Sequence, residues 1–216
     1  MDIIKGTGTD HSLWVRNCWY VAAWCHEVTV HQMHAITIIN KPVLIYRKEN
    51  GELTALADQC CHRQAPLSLG RLEGDDVRCM YHGLKFNADG KCIEIPTMND
   101  IPESFQVPTY PVIERDGWVW VWMGDSEKAD PDMIPAATGP DDPDWVMNSG
   151  FIDYDASYLL VADNLTDFSQ IAWVHENSFA AGSSGAFVAQ PRVQMIDRGI
   201  RVTRWNTNVP PRGYMD

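Results

Sequence analysis

Short apolar runs broken by tight polar turns fill the chain from about Asn17 to Met123. Val43–Arg47 and Leu53–Ala57 flank Glu49-Asn50-Gly51-Glu52, where the Asn-Gly pair predicts a type I′ hairpin turn. Leu84–Phe86 and Lys91–Ile95 flank Ala88-Asp89-Gly90, a turn of the same kind, and Val107–Ile113 and Trp118–Trp122 flank Glu114-Arg115-Asp116-Gly117. Strands this short, at this regular spacing, predict an all-β sandwich or barrel.

The pattern then changes. Gly124 to Pro143 is rich in Asp, Pro and Ala with no sustained apolar period, and reads as a linker or covering loop. Strand-like segments are expected at Trp145–Tyr154 and Ser157–Ala162. Asp163–His175 is the clearest helix, with Leu165, Phe168, Ile171 and Ala172 as apolar positions and Asp163 or Asn164 as its cap. Ser178–Ala186 is small and Gly-rich, hence a loop, and Val193–Ile196 with Ile200–Asn206 reads as another hairpin. The expected fold class is α+β: a β-domain over residues 1–125, a linker over 126–143, and the start of an α+β domain over 144–216 that ends without a closing element.

With 216 residues, 45% apolar and 21% charged, the chain can bury a real core and has an ordinary soluble composition. Most of the nine Trp are expected in that core. A net charge of −12 without any Lys/Arg block argues against a nucleic-acid partner. No apolar stretch approaches the roughly 20 residues that span a bilayer, and the amino terminus lacks the basic-then-apolar layout of a signal peptide. The expectation is a cytoplasmic protein. In a reducing compartment, Cys grouped with His marks a metal site sooner than a disulfide, and Cys18, Cys25 and Cys92 read as core thiols.

That grouping is specific. Cys60-Cys61-His62 and Cys79-Met80-Tyr81-His82 form C-x-H, sixteen residues, then C-x-x-H. Each loop offers one thiolate and one imidazole. A [2Fe–2S] cluster of the Rieske type puts two thiolates on one iron and two imidazoles on the other, which raises its potential to about −150 to +300 mV. A structural zinc site also takes two Cys and two His, but zinc sites commonly draw Cys from one short pair and His from another.

The stretch Cys60-Cys61-His62-Arg63-Gln64-Ala65-Pro66-Leu67-Ser68-Leu69-Gly70, followed by Cys79-Met80-Tyr81-His82-Gly83-Leu84-Lys85-Phe86, resembles the Rieske domain of aromatic-ring-hydroxylating oxygenases. Cys61 stands where that family usually has Pro, and it is not placed like the loop-bridging Cys of respiratory Rieske proteins, so no disulfide is expected. Asp163-Asn164-Leu165-Thr166-Asp167-Phe168-Ser169-Gln170-Ile171-Ala172-Trp173-Val174-His175 resembles the mononuclear-iron helix of the same family, in wording closest to the vanillate O-demethylase-like monooxygenases.

The resemblance implies the fold, a Rieske domain followed by a helix-grip (START-like) domain, here only partly present. It implies a 2-His-1-carboxylate iron site, which leaves positions open for O2 chemistry. His175 aligns with the second His; the first should stand at position 170, which holds Gln; the carboxylate is expected beyond Asp216. An amide oxygen is a poorer donor than imidazole for Fe(II), so the site is expected to be impaired, with three explanations open: divergence with loss of iron or changed chemistry, Asn164 filling the vacancy, or replacement of the His on purpose to stop turnover. On a continuous helix Asn164 and residue 175 lie about 20° apart, and Asp167 about 80° from 175. Asp167 matches the Asp that joins the Rieske His of one subunit to the iron-binding His of its neighbour in a homotrimer.

The implied activity is hydroxylation or O-demethylation of a small aromatic compound by mono- or dioxygenation, with O2 and with electrons from NAD(P)H through a flavin/iron–sulfur reductase or ferredoxin. Trp173, Phe179 and Phe187 are candidates for apolar pocket walls. A second reading is a non-catalytic electron carrier or partner subunit using the cluster alone, and a third is a structural zinc protein. Iron per chain separates the first two, and visible absorption excludes the third.

Overall fold

The computed structural model describes residues 14–96, 98–137, 139–140, 142–174, 190–197 and 199–205. The chain divides into two units, Met1–Ser149 and Gly150–Asp216. The first holds β1 (Cys18–Trp24), β2 (Met33–Ile38), β3 (Lys41–Arg47), β4 (Leu53–Ala57), β5 (Arg71–Glu73), β6 (Asp76–Arg78), β7 (Lys85–Phe86), β8 (Cys92–Glu94), β9 (Val112–Arg115) and β10 (Trp118–Met123). They form three antiparallel sheets, ordered β1-β10-β9, β2-β3-β4 and β5-β6-β7-β8.

Strand β3 explains the arrangement. Val43, Leu44, Ile45 and Tyr46 are all fully buried, so this run is apolar on both faces rather than alternating. Because successive side chains point to opposite faces, Leu44 and Tyr46 enter one core with Leu56, Val77, Phe86 and the two cysteines Cys60 and Cys79. Val43 and Ile45 enter a second core with Val28, Ala55, Val119 and Val121. Each fully buried Val, Leu or Ile is worth roughly 1.5–3 kcal/mol. The middle sheet is thus shared by two cores, and Cys60 and Cys79 belong to one of them.

The turns refine the expectation. Asp116 and Gly117 both have positive φ (56° and 84°), the type I′ turn of a two-residue hairpin pairing Arg115 with Trp118. The loop at Asn50-Gly51 is different: only Gly51 is left-handed, because the Asn50 side chain accepts from the Glu52 N–H (3.0 Å) and stays in ordinary conformation. The Gly51 N–H donates to Lys48 O (2.9 Å), giving a type I turn followed by a bulge. The turn at Gly90 repeats this, with Asn87 Oδ1 accepting from the Asp89 and Lys91 N–H groups.

The Gly124–Pro143 stretch is a covering strap over most of its length. Trp19 Nε1 donates to Asp130 O (2.8 Å), Arg115 Nη1 donates to Pro131 O (2.8 Å), and Ile134 is buried.

Beyond Pro143 the structure corrects three expectations. Trp145–Tyr154 carries no strand, and Ser157–Ala162 is not a strand but the start of a helix, α1 (Tyr158–Thr166), with Ser157 as its N-cap. The single helix expected over Asp163–His175 is broken. Asp167 is extended (φ −125°, ψ 96°), a 3-10 turn covers Phe168–Gln170, and α2 spans Ile171–Val174. The cause is local: Asp167 Oδ1 accepts from the Ser169 N–H (2.9 Å), so the side chain that could have sat mid-helix opens a new turn instead. Strands β11 (Arg192–Ile196) and β12 (Gly199–Thr203) pair as the expected hairpin, as far as the described residues run.

Candidate metal centre

Two loops carry the predicted ligands: residues 58–70 leave β4, and residues 79–84 join β6 to β7. They are built alike. In the first, the Cys60 N–H donates to Ala65 O (2.9 Å) and the Gln64 N–H to Cys60 O (2.8 Å). In the second, the Cys79 N–H donates to Leu84 O (2.8 Å) and the Gly83 N–H to Cys79 O (3.2 Å). Both therefore close with the same pair of hydrogen bonds counted from the cysteine, and both turn through a left-handed residue four positions on, Gln64 (φ 57°) and Gly83 (φ 74°). At Gly83 a Cβ would also meet Pro96 Cγ at 2.9 Å, so glycine serves there twice.

The loops bring like donors together. Cys60 and Cys79 are both 2% exposed and belong to one core cluster, near enough for the Cys79 thiol to perturb that of Cys60. Burial, and then the neighbouring Cys79 thiol, push the Cys60 thiol up to about 12, while the His62 backbone N–H pulls the other way. Binding of a metal ion to the sulfur, which releases the proton to solvent, would be what deprotonates such a thiol. His62 and His82 are exposed, with ring centroids 4.6 Å apart at 65°. Tyr81 packs on His82 at 4.0 Å. Among the described residues no three His, Cys, Asp or Glu side chains gather round one point. The four donors come as two pairs, sulfur with sulfur and imidazole with imidazole.

All six cysteines are free; Cys61 is exposed, and Cys92 is buried in the core. Cys25 lies against the second core, its thiol pushed up to about 12 by burial and then by Glu114.

Sequence reasoning missed three supports of the first site. Asp58, buried two residues before Cys60, accepts from the Ser68 N–H (2.7 Å) and the Ser68 hydroxyl (2.5 Å), pinning the first loop across its base. Gly70 lets the loops approach: a Cβ there would stand 2.0 Å from Arg78 O. Arg78 lies directly before Cys79 and bonds across the second loop to Gly83 O (2.7 Å). The only sequence signal was a charged residue close to each cysteine, Asp58 two positions before Cys60 and Arg78 directly before Cys79.

In the second unit, Asn164 and Gln170 do meet: Gln170 Nε2 donates to Asn164 Oδ1 (2.9 Å). The break at Asp167 brings together two positions that an unbroken helix would hold about 120° apart. Gln170 Oε1 is buried and has no hydrogen-bond partner among the described residues. Hydrogen bonds from Ser169 hold the Asp167 carboxyl below the usual carboxylate range, with Arg204 adding a smaller pull. Trp173 is exposed; His175, Phe179 and Phe187, together with the Ser178–Ala186 loop, lie outside the described residues.

A family model for the Rieske [2Fe-2S] domain matches residues 18–111, and one for the vanillate O-demethylase oxygenase C-terminal domain matches residues 154–216. The toluene-4-sulfonate monooxygenase system iron-sulfur subunit of Comamonas testosteroni is 46% identical over 199 residues, 91% of this chain and 57% of that protein. The dicamba O-demethylase oxygenase component of Stenotrophomonas maltophilia is 41% identical over 162 residues, 74% of this chain and 48% of that protein. A crystal structure of dicamba monooxygenase bound to 3,6-dichlorosalicylic acid superposes with a TM-score of 0.77 at 37% identity, covering 88% of this chain and 55% of that one. The fold and the matched loops define a Rieske-type iron–sulfur domain. The chain belongs to the Rieske non-haem iron oxygenase family, among the oxygenase components. It spans about half to three-fifths of the length of these relatives.

Proposed function

We propose that this chain is the cluster-bearing part of a Rieske oxygenase component, with Cys60 and Cys79 holding one iron and His62 and His82 the other. The pairing of like donors from two matched loops carries this reading. When bound, a Rieske cluster supplies one-electron transfer. The protein then has three tasks. Buried Cys60 and Cys79 keep water from the sulfur side; exposed His62 and His82 present the edge through which an electron leaves; the doubled hydrogen-bond closure fixes both loops, so little reorganises on reduction.

The donor set at the second position does not fit Fe(II) well. Position 170 offers a neutral amide whose NH2 is committed to Asn164, in place of an imidazole. The chain is therefore read as an oxygenase component with an impaired mononuclear iron site. Asp167, at the break between the two helices, is read as the carboxylate that accepts an imidazole N–H between neighbouring subunits of a homotrimer; its lowered pKa supports an ionised acceptor. Relatives named for toluene-4-sulfonate and dicamba support a small aromatic substrate, hydroxylated or O-demethylated with O2. Electrons would come from NAD(P)H through a flavin/iron–sulfur reductase or ferredoxin. The proposed compartment is the cytoplasm; among the described residues no helix is long and apolar enough to cross a membrane.

The Asn164–Gln170 hydrogen bond favours one alternative, an electron carrier or partner subunit that uses the cluster alone. Iron analysis with absorption and EPR spectra of the purified chain tests both. A Rieske spectrum with about three irons per chain supports the oxygenase, about two supports the carrier or the vacant site, and zinc without colour ends both readings. In a chain that also carries the carboxylate expected beyond Asp216, assayed with its reductase, Gln170→His should raise iron content and NADH-dependent O2 uptake; no change in either fails the impaired-site reading.

A further inference from the structure

The four short strands β5 to β8 carry a charged lattice on the face beside the second loop, and Arg78 is its hub. All five guanidinium N–H donors are used. Nε donates to Glu73 Oε1 (2.7 Å) and Nη2 to Glu73 Oε2 (2.8 Å). Nη1 donates to Glu94 Oε1 (3.0 Å) and Nη2 to Glu94 Oε2 (2.9 Å). The remaining Nη1 hydrogen goes to Gly83 O, the carbonyl directly after His82, at 2.7 Å. Glu73 is also held by Arg71 Nη2 (2.8 Å), and Lys85 pairs with Asp76 (3.1 Å). Each strand of the sheet contributes at least one charge. The Arg78 side chain is only 13% exposed, so a saturated guanidinium of this kind is a fixture and not a loose surface ion pair.

We propose that Arg78 is a positioning residue for the cluster: its fork, seated on Glu73 and Glu94, fixes the carbonyl after His82, and its charge offsets the two carboxylates beneath the second loop. The inference rests on the ligand assignment above. It separates two roles. A lysine keeps the charge but cannot supply five donors in one plane. A glutamine removes the charge, leaving Glu94 without its ion-pair partner and Glu73 with only Arg71 and Lys85, and the added negative balance disfavours the added electron.

The test uses the purified chain with its cluster, and reads midpoint potential, EPR line shape and the rate of cluster loss to a chelator. Arg78→Lys should keep a potential close to wild type while losing its cluster about 10–100-fold faster, the usual cost of removing an outer-shell support. Arg78→Gln should lower the potential, and Glu94→Gln should raise it. A purely structural role would shift melting temperature in all three without moving the potential in opposite directions. If Arg78→Gln does not fold, the opposite-sign shift of Glu94→Gln and the faster loss in Arg78→Lys carry the decision. Wild-type potentials and loss rates in all the variants that fold would overturn the proposal while leaving the ligand assignment standing. A wild-type chain without a Rieske spectrum would overturn the ligand assignment and this inference with it.

Discussion

Replacing Asp58 by Ala is the most direct probe of how the first loop is held. The carboxylate is buried and accepts two hydrogen bonds from Ser68, from N–H at 2.7 Å and from the hydroxyl at 2.5 Å, spanning the ten residues that contain Cys60 and His62. Hydrogen bonds to charged groups are worth about 1.5–3 kcal/mol each. Ser68 is half-buried, so water recovers part of the loss, and Asp58→Ala should cost about 3 kcal/mol in total. For a chain of this size that is a fall of about 6–12 °C in melting temperature. Asp58→Asn keeps two neutral hydrogen bonds and should cost only about 1 kcal/mol. Thermal melts followed by Trp fluorescence and by cluster absorption give both numbers. With Cys60 two residues away, the absorption of Asp58→Ala should decay before the fluorescence changes. An Asp58→Ala chain melting within about 2 °C of wild type, with both signals together, would refute the reasoning.

Glu73 predicts a pH dependence. Its hydrogen bonds from Arg78 hold its pKa at about 2 against an ordinary 4.5, so the folded state keeps it ionised more readily than the unfolded one. The stability it contributes is complete above about pH 4.5 and is lost as pH falls towards 2; the stability gap between wild type and Glu73→Gln, from denaturant titrations, should narrow across that window. Gly70→Ala should disrupt the pairing of β5 with β6, because the new Cβ meets backbone at 2.0 Å, whereas Gly74→Ala meets nothing and should cost only about 1–2 kcal/mol of backbone strain. Circular dichroism melts of the two variants make the comparison. His62→Ala and His82→Ala should each abolish the Rieske spectrum, while Cys61→Ala should leave it unchanged; an unaltered spectrum in either His variant removes that residue from the ligand set.

The chain order of donors, the positions of the tight turns and the apolar run at Val43–Arg47 were legible in the sequence, since each depends on residues within a few positions of one another, whereas the burial of that run on both faces was not. The spacing C-x-H and C-x-x-H named the donors, and the equal closure of their loops follows from short-range geometry. What local pattern could not reach was partner choice. Asn50 was expected to turn left-handed, and its side chain found the Glu52 N–H instead; Asp167 was expected mid-helix, and the Ser169 N–H stopped the helix there. Both are short polar side chains competing with the backbone, and the competition is settled by what the rest of the fold allows. The larger decisions belong wholly to the tertiary structure. Cross-strand register sets Arg78 of β6 between Glu73 of β5 and Glu94 of β8, and only the approach of two loops sixteen residues apart turns two mixed Cys–His motifs into a sulfur pair and an imidazole pair. Propensity acts along the chain, whereas the pairing of charges and metal donors acts through space, and that is the part only folding decides.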